Sequence, residues 1–176
     1  NATLLKYSRT EEVDHPSLLQ HPIAREVLTY FNASGLDISV TSDIPSGTGL
    51  GSSSSFTVGL IRLVAEMTQN TLGSDEIAKL ACHIEIDVLG EPIGVQDQYA
   101  ASFGGLRYYE IARDGTVTSE SLISNESELD WLNSAMFLIF TDSPSRSASD
   151  MLRIQHAEIT SQTARKEALG KLHELT

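Results

Sequence analysis

The sequence predicts an α+β fold, and three observations predict it. Apolar residues recur at helical spacing in several stretches. In "LDISVTS" they alternate strictly, as in a half-buried strand. An Asp114-Gly115 pair sits between two strand-like runs, which is hairpin chemistry. Helices mixed with antiparallel signals belong to the α+β class.

The elements follow in chain order. The sequence opens inside what reads as a strand. "HPIAREVLTYFNASG" is a helix with Pro22 in its first turn, Gly35 as its stop, and Ile23, Val27, Tyr30 and Phe31 as its apolar stripe. "LDISVTS" places Leu36, Ile38 and Val40 on one strand face, and Asp37, Ser39 and Thr41 on the other. After the stretch "DIPSGTGLGSSSSF", "SSFTVGLIRLVAEMT" gives a helix with Phe56, Leu60, Leu63 or Val64, and Met67 in line. "GSDEIAKLACHIEIDVLGEP" is the next helix. Ser74 is its candidate cap, and Asp75 and Glu76 suit the positive first turn. Its stripe is Ile77, Leu80, Ala81, Ile84 and Val88, and Gly90 with Pro92 ends it.

"GVQDQYAASFGG" turns into a short helix stopped by glycines, and "LRYYEI" with "TVTSESLI" forms the hairpin. "SNESELD" reads as a polar boundary, "SAMFLIFTD" as a strand opening a new unit, and "SRSASDMLRIQHAEITSQTARKEALGKLHEL" as a long polar helix. The expected division is therefore 1–130 and 131–176.

Composition limits the function classes. The 176 residues suffice for one ordinary domain or for part of a larger protein. At 40% hydrophobic and 20% charged the chain falls in the globular range. No apolar run approaches the ~18–20 residues of a membrane span. No basic-then-apolar leader opens the sequence, and the single cysteine, Cys82, can form no internal disulfide. A cytoplasmic location is expected. The net charge of −12 argues against nucleic acid and anionic membrane as partners. It does not argue against a small anion, which local donors can hold.

The glycine-serine stretch is the informative one. A strand, a turn carrying Gly47, Gly49 and Gly51, and then a helix place free N–H groups at a positive helix end. Such a cradle suits phosphate; a simple helix cap is the plainer alternative. It is not a Walker loop, because Ser52 follows Gly51 and no lysine is near. It is not the dinucleotide fingerprint either, because Ser52 stands where the third glycine belongs.

Pro45-Ser-Gly-Thr-Gly49-Leu50-Gly51-Ser52-Ser53 resembles the Pro-x-x-x-Gly-Leu-Gly-Ser-Ser signature of the GHMP kinases. Ser54 stands where that family usually has alanine, a residue of similar size. Downstream, "GEPIGVQDQYAASFGGLRYYE" resembles the family's Pro-x-Gly-x-x-Asp-Gln segment. "LLKYSRTEEVD", "HPIAREVL" and "FTDSPSRSASDML" are similar to the branch that phosphorylates D-glycero-D-manno-heptose 7-phosphate on the way to nucleotide-activated heptose.

The resemblance implies a two-layer N-terminal domain with a left-handed crossover, followed by a ferredoxin-like domain. It also implies strands before this stretch, carrying adenine contacts, and a glycine-rich motif after it. The sequence is thus read as part of a longer protein. ATP and magnesium are the implied cofactors, a sugar phosphate the implied substrate, and a homodimer is left open.

Site residues follow from the same resemblance. Pro45, Gly47, Gly49, Leu50, Gly51, Ser52, Ser53 and Ser54 would hold the nucleotide's phosphates. Ser53 and Glu85 would hold magnesium. Helix geometry alone puts Glu85 at the stripe's edge, where a solvated carboxylate is the ordinary outcome. Its seven-residue spacing to Pro92 matches the family. Asp97, after the Gly94 turn, would be the general base; as a residue it could equally cap its helix. Arg9 and Arg146, ahead of Arg107, are candidates for the acceptor's own phosphate, since a guanidinium fork matches phosphate oxygens. Gly94 and Asp97 would also face the acceptor. "HIEID" lacks metalloprotease spacing, and Cys82 reads as a buried filler.

Overall fold

A computed structural model describes residues 1–44, 48–123 and 125–139, together with 153, 154 and 157. It begins with strands β1 (Thr3–Lys6) and β2 (Thr10–Val13), which pair antiparallel. Thr3 and Leu5 turn inward. Strand β3 (Asp37–Ser39) pairs parallel with β1, giving the order β2-β1-β3. A parallel pair needs a crossover; here it runs through β2, a single 3₁₀ turn at Pro16–Leu18 and helix α1 (Pro22–Tyr30).

Pro22 occupies the first turn of α1, as expected, and the ring of His21 caps it by accepting from the Ala24 N–H at 3.4 Å. The helix buries Ile23, Ala24, Val27 and Leu28. Tyr30 departs from the predicted stripe and is exposed. The chain leaves the helix before Gly35, with Asn32 in the left-handed region at φ 50°. Glu11 pins this crossover in place. Its carboxylate accepts from the Tyr7 hydroxyl at 2.9 Å and from the N–H groups of Gln20 at 2.5 Å and His21 at 3.1 Å.

Helix α2 (Ser52–Met67) packs against α1, helix α3 (Ser74–Cys82) and helix α4 (Gln96–Phe103). Three packed neighbours enlarge its buried face to Ser54, Thr57, Val58, Leu60, Ile61, Val64 and Ala65. Of the pair Leu63 or Val64 it is Val64 that lies inside, and Met67, expected inside, lies at the surface. Gly73, not Ser74, is the cap of α3, and the Glu76 carboxylate accepts from the Gly73 N–H at 2.8 Å. Beyond Cys82 the helix continues as a π-helical segment, His83–Val88. Helix α4 is stopped at Gly104, φ 64°.

Strands β4 (Arg107–Ile111) and β5 (Val117–Ser121) form the expected hairpin, with Gly115 at φ 86° in its turn. Helix α5 (Glu126–Ala135) spans the stretch read as a polar boundary. Asn125 accepts from the Glu128 N–H at 3.0 Å, and Glu126 and Glu128 fill the first turn, so the polar residues are start signals of a helix. Ser134 and Ala135 belong to that helix, and residues 136–139 form no regular element. The rest of the expected strand, and the long polar helix apart from 153, 154 and 157, lie outside the described residues.

One apolar cluster joins Leu5 and Ile38 of the sheet to α1, α2, α3 and Ile84. No described residue beyond Ser102 is buried.

Candidate functional site

The loop after β3 delivers the chain to the start of α2. Gly49 and Gly51 take φ 76° and 66°, a region that side chains rarely occupy. Gly51 is the cap residue and supplies no side-chain cap bond to the first turn of α2. The N–H groups of Ser52, Ser53 and Ser54 therefore stand at a positive helix end without intrahelical partners. Leu50, Ser52 and Ser53 border a cleft of about 780 Å³ that His21, Ile38 and Phe56 also line. Pro45 and Gly47, expected in the same cradle, lie outside the described residues.

Glu85 lies directly beneath this mouth and is only 1% exposed. The π-helical segment explains its placement. Widening the helix by about one residue per turn shifts the register after Cys82, so Glu85 turns inward beside Ile84 instead of sitting at the stripe's edge. Four neutral donors surround its carboxylate. Oε1 accepts from the Thr57 hydroxyl at 2.6 Å and, more loosely, from the Ser53 hydroxyl at 3.4 Å. Oε2 accepts from the Ser54 hydroxyl at 2.8 Å and from the Gln98 amide. The hydroxyl of Ser54 is thus committed to Glu85, which leaves its backbone N–H for a ligand.

Asp97 follows from the next helix. It occupies the first turn of α4, which no side chain caps, and it is exposed. Its carboxylate rests against the α2 cap: a Cβ added at Gly51 would lie 3.4 Å from Asp97 Cγ and Oδ2. Ser53, Glu85, Asp97 and the glycine turn therefore converge on one helix end. Gly94 is exposed in the segment leading into α4 and has open space around it.

The arginines divide differently. Arg9 is exposed in the β1–β2 turn, where its carbonyl accepts from the Tyr7 N–H. Arg107 stacks its guanidinium 5.0 Å from the Phe103 ring. Arg146 lies outside the described residues.

Reading the residues missed Thr57 and Gln98. Thr57 shares the Ser54 face of α2, three positions on, and Gln98 adjoins Asp97; those spacings were the available signals. Nothing in "HIEID" signals a π-helical segment. His83 and Asp87 bond to each other at 2.9 Å across it, while Glu85 faces the other way. Burial, reinforced by the Glu85 and Asp87 carboxylates, pushes the Cys82 thiol up to about 11.

A family model described as the GHMP kinases N terminal domain matches residues 18–105, half of the 176 residues. The chain is 55% identical over 69 residues to D-glycero-alpha-D-manno-heptose 7-phosphate kinase of Campylobacter jejuni, a match covering 39% of this chain and 20% of that protein. It is 41% identical over 76 residues to mevalonate kinase of Pyrococcus horikoshii, covering 43% of this chain and 22% of that one. Among solved structures it resembles a D-glycero-D-manno-heptose 1-phosphate kinase from Bacteroides thetaiotaomicron, with a TM-score of 0.65 at 25% identity, over 73% of this chain and 46% of that chain. The chain thus spans less than half the length of the relatives it matches.

Proposed function

Because the chain belongs to the GHMP kinases, a family of ATP-dependent small-molecule kinases, we propose that it carries the phosphate-binding and catalytic residues of a heptose kinase. The reaction would move the γ-phosphoryl group of ATP to the anomeric hydroxyl of D-glycero-D-manno-heptose 7-phosphate. The observation that carries this reading is the convergence of Glu85 and Asp97 on an uncapped helix start. The 55% identity to a heptose 7-phosphate kinase supports the acceptor. The matching segment also occurs in mevalonate kinases, so the acceptor needs its own test. We carry the division 1–130 and 131–176, the left-handed crossover and a ferredoxin-like second unit as part of the same proposal.

Phosphoryl transfer is chiefly positioning and charge neutralisation. The N–H groups at the start of α2 hold phosphate oxygens. Asp97, whose carboxylate lies beside Gly51 at the helix start, would accept the proton of the attacking hydroxyl.

Glu85 suits magnesium: it is a buried carboxylate whose four donors are all neutral, so among the described residues no basic side chain compensates its charge. Glu85 and the exposed Ser53 would hold the ion, the long Ser53 bond being the one that yields. When bound, magnesium would neutralise charge on the transferring phosphoryl oxygens.

The test is ADP release by the full-length protein with ATP, magnesium and a panel of heptose 7-phosphate, fucose, galactose and mevalonate. Turnover with heptose 7-phosphate alone is expected. Turnover with another member reassigns the acceptor. Tight nucleotide or sugar-phosphate binding without any turnover would make the protein a binding module.

A further inference from the structure

We propose that Gln98 is a positioning residue: it fixes the Glu85 carboxylate for the cation and, through helix α4, ties that carboxylate to Asp97. The inference rests on the metal role proposed for Glu85. Gln98 is fully buried and its amide donates to Glu85 Oε2. Ser54, also buried, donates to the same oxygen at 2.8 Å. Oε1 has Thr57 at 2.6 Å, and its other donor is the exposed Ser53 at 3.4 Å. The two oxygens are therefore unequal. Both donors to Oε2 are buried, whereas Oε1 has one buried donor, Thr57, and one exposed and longer one, Ser53 at the start of α2.

Packing alone does not account for a glutamine at this position. Its Oε1 is buried and has no hydrogen-bond partner. An unmatched buried acceptor costs stability that an apolar side chain of equal length would not. What the glutamine contributes is its N–H to Glu85.

The neighbouring residue gains as well. Consecutive helical side chains point about 100° apart, so drawing Gln98 inward aims Asp97 at Gly51. Elsewhere on α4, Tyr99 and Ser102 donate to Asp75 and to the Ser74 carbonyl of α3, and Arg62 and Tyr109 donate to the carbonyls of Ser102 and Tyr99. The Gln98 bond is the one that ties its first turn to the π-helical segment.

The experiment is a titration of purified protein with Mn²⁺ alone, read by the electron paramagnetic resonance of free Mn²⁺, on wild type and Gln98→Met. The variant should bind Mn²⁺ about 10–100-fold more weakly, the usual loss when a partner behind a metal ligand is removed. Its melting temperature should stay close to wild type. In kinase assays the Mg²⁺ concentration for half activity should rise, excess Mg²⁺ should restore the rate, and the KM for the sugar should not move.

Wild-type Mn²⁺ affinity in folded Gln98→Met overturns the inference, as does a large loss of melting temperature with affinity intact. If Gln98→Met does not fold, Gln98→Asn withdraws the amide by one methylene. The same loss of affinity is expected there, and wild-type affinity overturns the inference. Wild-type protein that binds no Mn²⁺ overturns the metal role of Glu85 itself, a result read before any variant is made.

Discussion

Asp97 is exposed and caps nothing, so replacing it should leave the fold alone. Asp97→Asn is expected to melt like wild type and to lower kcat about 10²–10⁴-fold, the range for a lost general base. Near-normal turnover would remove Asp97 from the mechanism. Cys82 makes a second residue-scale prediction. With its thiol pushed up to about 11, almost no thiolate exists near pH 8, and thiolate is the reactive form. Alkylation of native protein should be far slower than alkylation of the same protein in denaturant; equal rates would contradict the raised thiol. Asp97 and Ser53 were legible through the family resemblance and not through residue type, since an aspartate at that position could equally cap its helix; Cys82, expected as a buried filler, is only partly buried. Gln98 closes the quoted Pro-x-Gly-x-x-Asp-Gln segment, but its contact with Glu85, like that of Thr57, was not legible. A neutral donor acquires meaning only from the group that it faces, and that group arrives from elsewhere in the chain.

Among the elements, the turn into α2 is the most sensitive to change. Gly51→Ala would force a side chain into the left-handed region, at a cost of about 1–2 kcal/mol, and would press its Cβ toward the Asp97 carboxylate. Denaturant unfolding should show that loss. Gly94→Ala is the control: nothing lies within 4 Å of the added atom, and its stability should be close to wild type. Element types were largely legible, since α1, α2, α4 and the β4–β5 hairpin follow from apolar periodicity and from Pro22, Gly104 and Gly115. The rotation of each helix was less so. The buried face of α2 depends on three packed neighbours. The inward turn of Glu85 depends on a π-helical register that a 3.6-residue period does not contain. Asn125 and two glutamates looked like a linker until their spacing was seen to cap α5.

For the molecule as a whole, acid is the informative perturbation. Burial holds His21 below its usual 6.5, outweighing the pull of Glu11. The unfolded chain therefore takes up its proton first, and stability should fall as pH drops through about 6.5. Burial pushes the Glu11 carboxyl up, but the bonds from Gln20, Tyr7 and His21 outweigh it and leave the group below 4.5. Its contribution is present above about 4.5 and is lost as pH falls further. Melting temperature measured against pH should decline in those two windows, and Glu11→Gln should flatten the lower one. A profile flat through about pH 6.5 would contradict the His21 assignment, and a Glu11→Gln profile identical to wild type below about 4.5 would contradict that of Glu11. The mixed helix-and-strand class was legible at this scale, but the parallel pairing of β1 with β3 was not, because it is decided by distant partners. A last consequence concerns Glu85. Its carboxylate is grasped from α2 and α4 together, so an occupant that prefers the assembled arrangement must also resist its disassembly. Divalent ions should then act as a ligand of the native state, and heat capacity scans should find the transition moving upward with their concentration.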